Sequence, residues 1–164
     1  MRALIQKAPR QPDRVFINEA VREVIELTRG EALENGVSVK TKFTEALPIK
    51  TGDRVQLQQV VLNLILNAVQ EMGANSERGG EVLITTSQTE LNDLCIGIRD
   101  TGPGLSPETL SHLFEPFYTT KPNGMGMGLA ICRSIMEAHG GRLWVTACQP
   151  HGALFQFTIP ARSG

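Results

Sequence analysis

The sequence predicts an α+β domain, on three observations. Two long segments repeat apolar residues at helical spacing, several shorter ones alternate apolar and polar residues as strands do, and turn residues separate them. The chain has 164 residues, the size of one domain, and its 41% apolar content is enough to build a core.

Met1 to Pro12 mixes basic residues with two prolines and reads as a linker remnant that follows another segment; the domain is expected over 13–164. Val15-Phe-Ile17 leads to Asn18, a residue type that caps helices. Val21, Val24, Ile25 and Leu27 then recur at helical spacing, predicting helix one over about 19–34 with Asn35-Gly36 as its stop. Val37 to Phe43 alternates as a strand, and Pro48 to Thr51 is a second, shorter candidate. Asp53, with Gln56 three residues on, resembles a capping box and opens helix two, expected to reach about Met72. Glu81 to Thr89 and Leu91 to Arg99 form a hairpin turning near Asn92-Asp93. Ser106-Pro-Glu108 is a cap-and-start signal for a short helix carrying Leu110, Leu113 and Phe114. A final helix is expected over about 127–138, ended by His139-Gly-Gly141, with His139 as its cap; strands follow at Leu143 to Ala147 and Ala153 to Ile159.

Three stretches carry candidate chemistry. On helix two, Gln56, Gln59, Asn63, Asn67 and Gln70 fall in a stripe about 80° wide at 100° per residue, and nearly everything else is apolar. A surface helix normally shows the reverse balance, so the stripe faces either a lined cleft or solvent at a domain edge. Asp100-Thr-Gly-Pro-Gly104 leaves the hairpin's second strand; it is either a plain turn or a carboxylate beside backbone that a ligand can approach closely. Gly124, Gly126 and Gly128 stand immediately before the last helix. Glycines there let unpaired amides at the positive dipole end reach phosphate oxygens, although a merely flexible loop has the same composition. The spacing matches neither the dinucleotide fingerprint nor a P-loop.

The remaining composition narrows the partners. A net charge of −1 supplies no basic footprint for nucleic acid. No apolar run approaches the ~18 residues of a membrane span, so the domain is expected to make no membrane contact. Cys95, Cys132 and Cys148 are odd in number and scattered, which reads as reduced core thiols in a cytoplasmic compartment.

Taken in order, Asn63-Leu-Ile-Leu-Asn67-Ala resembles the N box, Asp100-Thr-Gly-Pro-Gly104 the G1 box, Phe114-Glu-Pro-Phe117 the F box and Gly124-Met-Gly-Met-Gly128-Leu129 the G2 box of the catalytic ATP-binding domain of bacterial sensor histidine kinases. The resemblance runs from about Asp13 to Pro160. It is greatest to the oxygen- and nitrogen-sensing branch, whose ATP lid is short and whose G2 box follows Thr-Thr-Lys. It implies the Bergerat fold: a two-layer α/β sandwich in which a mixed, mostly antiparallel sheet of about five strands is covered on one face by three helices.

The resemblance also assigns roles. It implies that Asp100 accepts a hydrogen bond from the adenine amino group, that Asn67 offers its amide oxygen to Mg²⁺, and that Asn63 supports metal and phosphates. By the same resemblance Gly102, Gly104, Gly124, Gly126, Gly128 and Leu129 would line the ATP site, Lys121 is a candidate charge partner on the lid, and Phe114, Phe117 and Tyr118 would either pack the lid down or simply belong to the core. The partners implied are a histidine-bearing helical domain of the same parent and a response-regulator receiver. The piece itself would be monomeric and the parent a homodimer.

Two departures from the family pattern stand out. Relatives often carry a basic residue just after the second asparagine, where this chain has Val69-Gln70-Glu71-Met72, so Lys121 or Arg133 would have to meet the phosphate. Relatives often start the last strand with Gly-Thr, where this chain has Gly152-Ala153. None of His112, His139 and His151 sits in the acidic helical context of a phosphoacceptor. Two other classes share the fold, a stand-alone anti-sigma-type serine kinase and a non-catalytic ATP-dependent binding module. The serine kinases place a proton-abstracting glutamate at position 63, and the asparagine found there cannot abstract a proton.

Overall fold

The computed structural model describes residues 13–45, 47, 50–74, 80–116 and 128–160. Eleven elements follow in the order β1 (Asp13–Val15), α1 (Ile17–Glu34), β2 (Val37–Phe43), β3 (Lys50–Gly52), α2 (Arg54–Ala74), β4 (Gly80–Gln88), β5 (Leu94–Asp100), α3 (Pro107–His112), α4 (Gly128–Ala138), β6 (Leu143–Ala147) and β7 (Ala153–Ile159). Five strands form one sheet in the order β2-β4-β5-β7-β6, in which only the β2–β4 pair is parallel. β1 and β3 pair apart from it as a small antiparallel ribbon. This is the mixed, mostly antiparallel five-stranded sheet expected.

Three helices cover one face. α1 lies against β2, α2 against β4 and β5, and α4 against β6 and β7, with α2 touching both other helices. The core sits between the layers: Val82 and Ile84 of β4, Ile96 and Ile98 of β5 and Phe155 and Phe157 of β7 meet Leu57, Val60, Leu64, Ile65 and Val69 of α2, all buried. α2 is the central helix of its layer, which explains its nearly continuous apolar surface. Burying Leu57, Val60, Val61, Leu64, Ile65, Val69 and Met72 of this helix contributes about 1.5–3 kcal/mol per large aliphatic group.

The structure differs from expectation in three places. Asn18 does not cap α1, which begins one residue earlier behind Phe16, with no side-chain cap. Instead its Nδ2 donates to the Thr44 carbonyl at 2.9 Å and its Oδ1 accepts from the Thr86 hydroxyl at 2.8 Å, pinning α1 to the ends of β2 and β4. The hairpin's second strand begins at Leu94 rather than Leu91. Asn92 adopts φ 68°, and the Thr89 and Asp93 backbones bond across a wider loop. Cys148 is only partly buried, unlike Cys95 and Cys132; all three thiols are free.

The other signals do what was expected of them. Asp53 Oδ1 accepts the Gln56 amide at 3.0 Å and Ser106 Oγ the Thr109 amide at 3.1 Å, so both residues cap the helices that follow. α4 ends in a Schellman turn: Gly140 takes φ 76°, its amide bonds Glu137 and the Gly141 amide bonds Met136. No described helix is long and apolar enough to cross a membrane. The expected linker at 1–12 and the start of the Pro48–Thr51 strand lie outside the described residues.

Candidate nucleotide-binding site

β5 delivers Asp100 to the edge of the helix layer. The carboxylate is 7% exposed, and its Oδ1 accepts two backbone amides, Gly102 at 2.9 Å and Ala153 at 3.3 Å. Burial pushes its pKa above the ordinary aspartate value. The Gly102 and Ala153 amides oppose that rise, the Glu71 charge adds to it, and His151 opposes it. With Oδ1 committed to backbone donors, Oδ2 is the acceptor left for a ligand. Asp100 is therefore a fixed, desolvated acceptor, a setting in which one hydrogen bond discriminates strongly between ligands.

Bare backbone surrounds it. A Cβ on Gly102 would come within 3.1 Å of Asp100 Oδ1 and 3.2 Å of Met72 Cγ. Gly104, at φ 88°, packs on the backbone of Gly152, and a Cβ on Gly152 would sit 2.2 Å from the Asp100 carbonyl oxygen. His151 Nδ1 donates to the Gly102 carbonyl at 3.1 Å, so the β6–β7 turn and the loop after β5 hold one another.

α2 forms the adjoining wall. Asn63 and Asn67, one turn apart, are both half-buried on the polar stripe, while Leu64, Ile65, Ala68 and Val69 behind them are buried. The stripe thus borders a partly enclosed surface at Asn63 and Asn67 and opens to solvent at Gln59 and Gln70. Asn63 accepts from Gln59 Nε2 at 2.9 Å and donates to Cys132 Sγ, inside α4, at 3.5 Å. A Cβ on Gly128, the first residue of α4, would lie 3.9 Å from Asn63 Nδ2. The first residue of α4 therefore lies beside the amide stripe at Asn63. Leu129 is partly buried against the core.

Phe114 packs edge-to-face on Phe155, with ring centroids 6.4 Å apart, and carries the Arg133 guanidinium 5.4 Å from its own centroid. Arg133 also lies 3.6 Å from Glu137. Lys121, Gly124, Gly126, Phe117 and Tyr118 lie outside the described residues. Two contributors escaped the sequence reading. His151 and Cys132 act through neighbours 49 and 69 residues away, and no local pattern marks such partners.

An anchored acceptor and a bare-backbone loop beside one end of α2, with the start of α4 beside Asn63 farther along the same helix, are the arrangement expected of a nucleotide-binding ATPase domain. The family model described as "Histidine kinase-, DNA gyrase B-, and HSP90-like ATPase" matches residues 52–163, and the chain belongs to that family. Sensor protein FixL of Bradyrhizobium diazoefficiens is 37% identical over 88% of this chain and 28% of its own length. Sensor histidine kinase TmoS of Ectopseudomonas mendocina is 38% identical over 82% of this chain and 14% of its own. Among solved structures, the nucleotide-free catalytic domain of histidine kinase ThkA matches with a TM-score of 0.81 at 31% identity, covering 92% of this chain and 96% of that one. Full-length ShkA in complex with AMPPNP matches at 0.82 and 32% identity, covering 96% of this chain and 32% of that one. The chain thus spans about a quarter or less of these two curated relatives.

Proposed function

We propose that this chain is the catalytic ATP-binding domain of a sensor histidine kinase, which binds Mg·ATP and passes the γ-phosphoryl group to a histidine on a separate helical domain of the same parent. One observation carries the reading: Asp100 Oδ1 is saturated by the Gly102 and Ala153 amides, which leaves Oδ2 as an acceptor matched to the amino group of adenine. The carbonyl of guanine at that place would meet a second acceptor. The AMPPNP complex of ShkA supports the nucleotide class.

In this reading the phosphates lie between Asn63 and the start of α4, held by amides of Gly124, Gly126 and Gly128, with Gly102, Gly104 and Leu129 beside the nucleoside. Arg133 engages Phe114 and Glu137, which favours Lys121 over Arg133 as the charge partner for the phosphates. The donor set fits Mg²⁺. Asn67 and Asn63 supply hard amide oxygens, and among the described residues no cluster of three His, Cys, Asp or Glu side chains competes as a metal cage. Magnesium needs only one or two protein oxygens, because it keeps waters and bridges phosphates. When bound, it would neutralise charge developing on the transferred group.

The chain's own histidines are committed elsewhere. His112 pairs with Glu115 at 2.8 Å, His139 accepts the Asp53 amide and His151 bonds Gly102. The acceptor is therefore assigned to another domain, with a response-regulator receiver downstream and a homodimeric parent. Residues 1–12 are the linker toward that domain. A complex of ThkA with response regulator TrrA supports the receiver.

The test mixes the purified chain and radiolabelled Mg·ATP with the histidine-bearing helical domain of its parent. Acid-labile, base-stable label on that domain is expected. Label that survives acid, on a serine of a partner, would replace this reading with the anti-sigma-type kinase.

A further inference from the structure

Asn63 of the α2 stripe has both ends of its side-chain amide committed. Gln59 Nε2 donates to its Oδ1 at 2.9 Å from the solvent side, and its Nδ2 donates inward to Cys132 Sγ at 3.5 Å. Cys132 is fully buried on the core face of α4, and its thiol reaches back to the Val60 carbonyl at 3.9 Å. A short relay therefore runs Gln59, Asn63, Cys132, Val60 and crosses from α2 to α4 and back. As the acceptor of the inner N–H, the sulfur sets which way the carboxamide faces. A carboxamide turned over would aim N–H donors at a bound cation.

We infer that Cys132 is a positioning residue for the nucleotide site: through Asn63 it holds the amide oxygen toward the metal and phosphates. The inference rests on the Mg·ATP reading above. The thiol suits this post because it is fully buried and donates its own S–H to the Val60 carbonyl, which leaves the sulfur lone pairs for Asn63. The same contact couples the N-terminal turns of α4, where Gly128 faces Asn63, to the stripe on α2.

The test measures ADP affinity of the full chain by calorimetry with excess Mg²⁺ and with EDTA, in wild type, Cys132→Val and Cys132→Ser. Valine keeps apolar volume and removes the acceptor; serine restores an acceptor. The expected result is unchanged affinity in EDTA for all three, about a tenfold loss of the magnesium-dependent gain in Cys132→Val, and recovery of most of it in Cys132→Ser. Equal gains in all three would overturn the inference and leave the Mg·ATP reading standing, whereas no ADP uptake by folded wild type would remove both. Should valine prevent folding, the Asn63 side-chain amide signals decide the matter in a nitrogen–proton spectrum. They are identified by their loss in Asn63→Asp, and they must move in Cys132→Ser; unmoved signals overturn the inference.

Discussion

His139 at the end of α4 and Asp53 at the start of α2 are joined through one imidazole ring. Nδ1–H donates to the Ile135 carbonyl at 2.9 Å, which leaves Nε2 as the acceptor of the Asp53 amide at 3.1 Å. The ring thus adds a second donor to the Ile135 carbonyl, which already accepts the His139 amide, supplies an acceptor for the amide at another helix's entrance, and fixes its own tautomer in doing so. Sequence reading had given His139 only the first of these tasks.

His139→Ala deletes both bonds at a half-buried position. The expected loss is about 1–2 kcal/mol of unfolding free energy, read from urea midpoints at neutral pH. Nucleotide affinity of the folded variant should stay within about twofold, because the ring's bonds go to the Ile135 carbonyl and the Asp53 amide rather than to Asp100, Asn63 or Asn67. A variant as stable as wild type would show that water replaces the ring at no cost.

Asp100→Asn reverses the polarity of one atom. The new amide oxygen keeps the Gly102 and Ala153 bonds, so an N–H group takes the place of Oδ2. Adenine then meets donor against donor, at a cost of about 2 kcal/mol or roughly thirtyfold in ADP affinity, while GDP should gain. Calorimetry with both nucleotides checks this. Unchanged preference in a folded variant would remove Asp100 from base selection.

The same variant reports on pH. Burial raises the folded-state pKa of Asp100 above its unfolded value, so the folded form binds the proton more tightly. The stability this supplies is complete below the ordinary aspartate value, about pH 4, and is lost as pH rises through the folded value. Asp100→Asn has no such loss. Its stability relative to wild type should therefore climb as pH rises from about 4 and then level off, in paired urea titrations. A flat difference would mean that the amide bonds and His151 fully offset burial.

The features legible in the sequence were those that depend on near neighbours. The stripe on α2, the caps at Asp53 and Ser106 and the glycine stop after His139 each follow from spacing within a few residues, and the structure keeps all of them. Asn18 was misread because a helix-capping residue type stood at a plausible place; its real partners are 26 and 68 residues away. The late start of β5 has a similar origin, since Leu91 satisfies the alternation but the positive φ at Asn92 belongs to the loop's three-dimensional closure. At the site, Asp100 and the asparagines could be nominated from order along the chain. What orients them, namely the Ala153 amide and the Cys132 sulfur, comes from elements brought together only by the packing of β7 and α4.

Two glycines should respond in opposite directions to one methyl group. At Gly152, with φ 103°, a Cβ would collide with the Asp100 carbonyl at 2.2 Å, so Gly152→Ala should cost about 3 kcal/mol or more and weaken nucleotide binding through Asp100. At Gly30, inside α1, nothing lies within 4 Å of the added atom, and Gly30→Ala should stabilise by about 0.5–1 kcal/mol. Urea midpoints of the two variants test the pair, and a tolerated Gly152→Ala would show that the β6–β7 turn can move away from β5.

Asn67 provides the sharpest separation of metal from nucleotide. It lies one helical turn beyond Asn63 and is half-buried on the same stripe. An amide oxygen is a neutral ligand, so its removal withdraws a coordination bond without changing the charge around the phosphates. Asn67→Ala should therefore bind ADP in EDTA as wild type does and gain little when Mg²⁺ is added, whereas wild type should gain about tenfold. A uniform loss in both conditions would instead place Asn67 against the nucleotide itself, and a full magnesium gain in the variant would move the metal to other oxygens, Asn63 first among them.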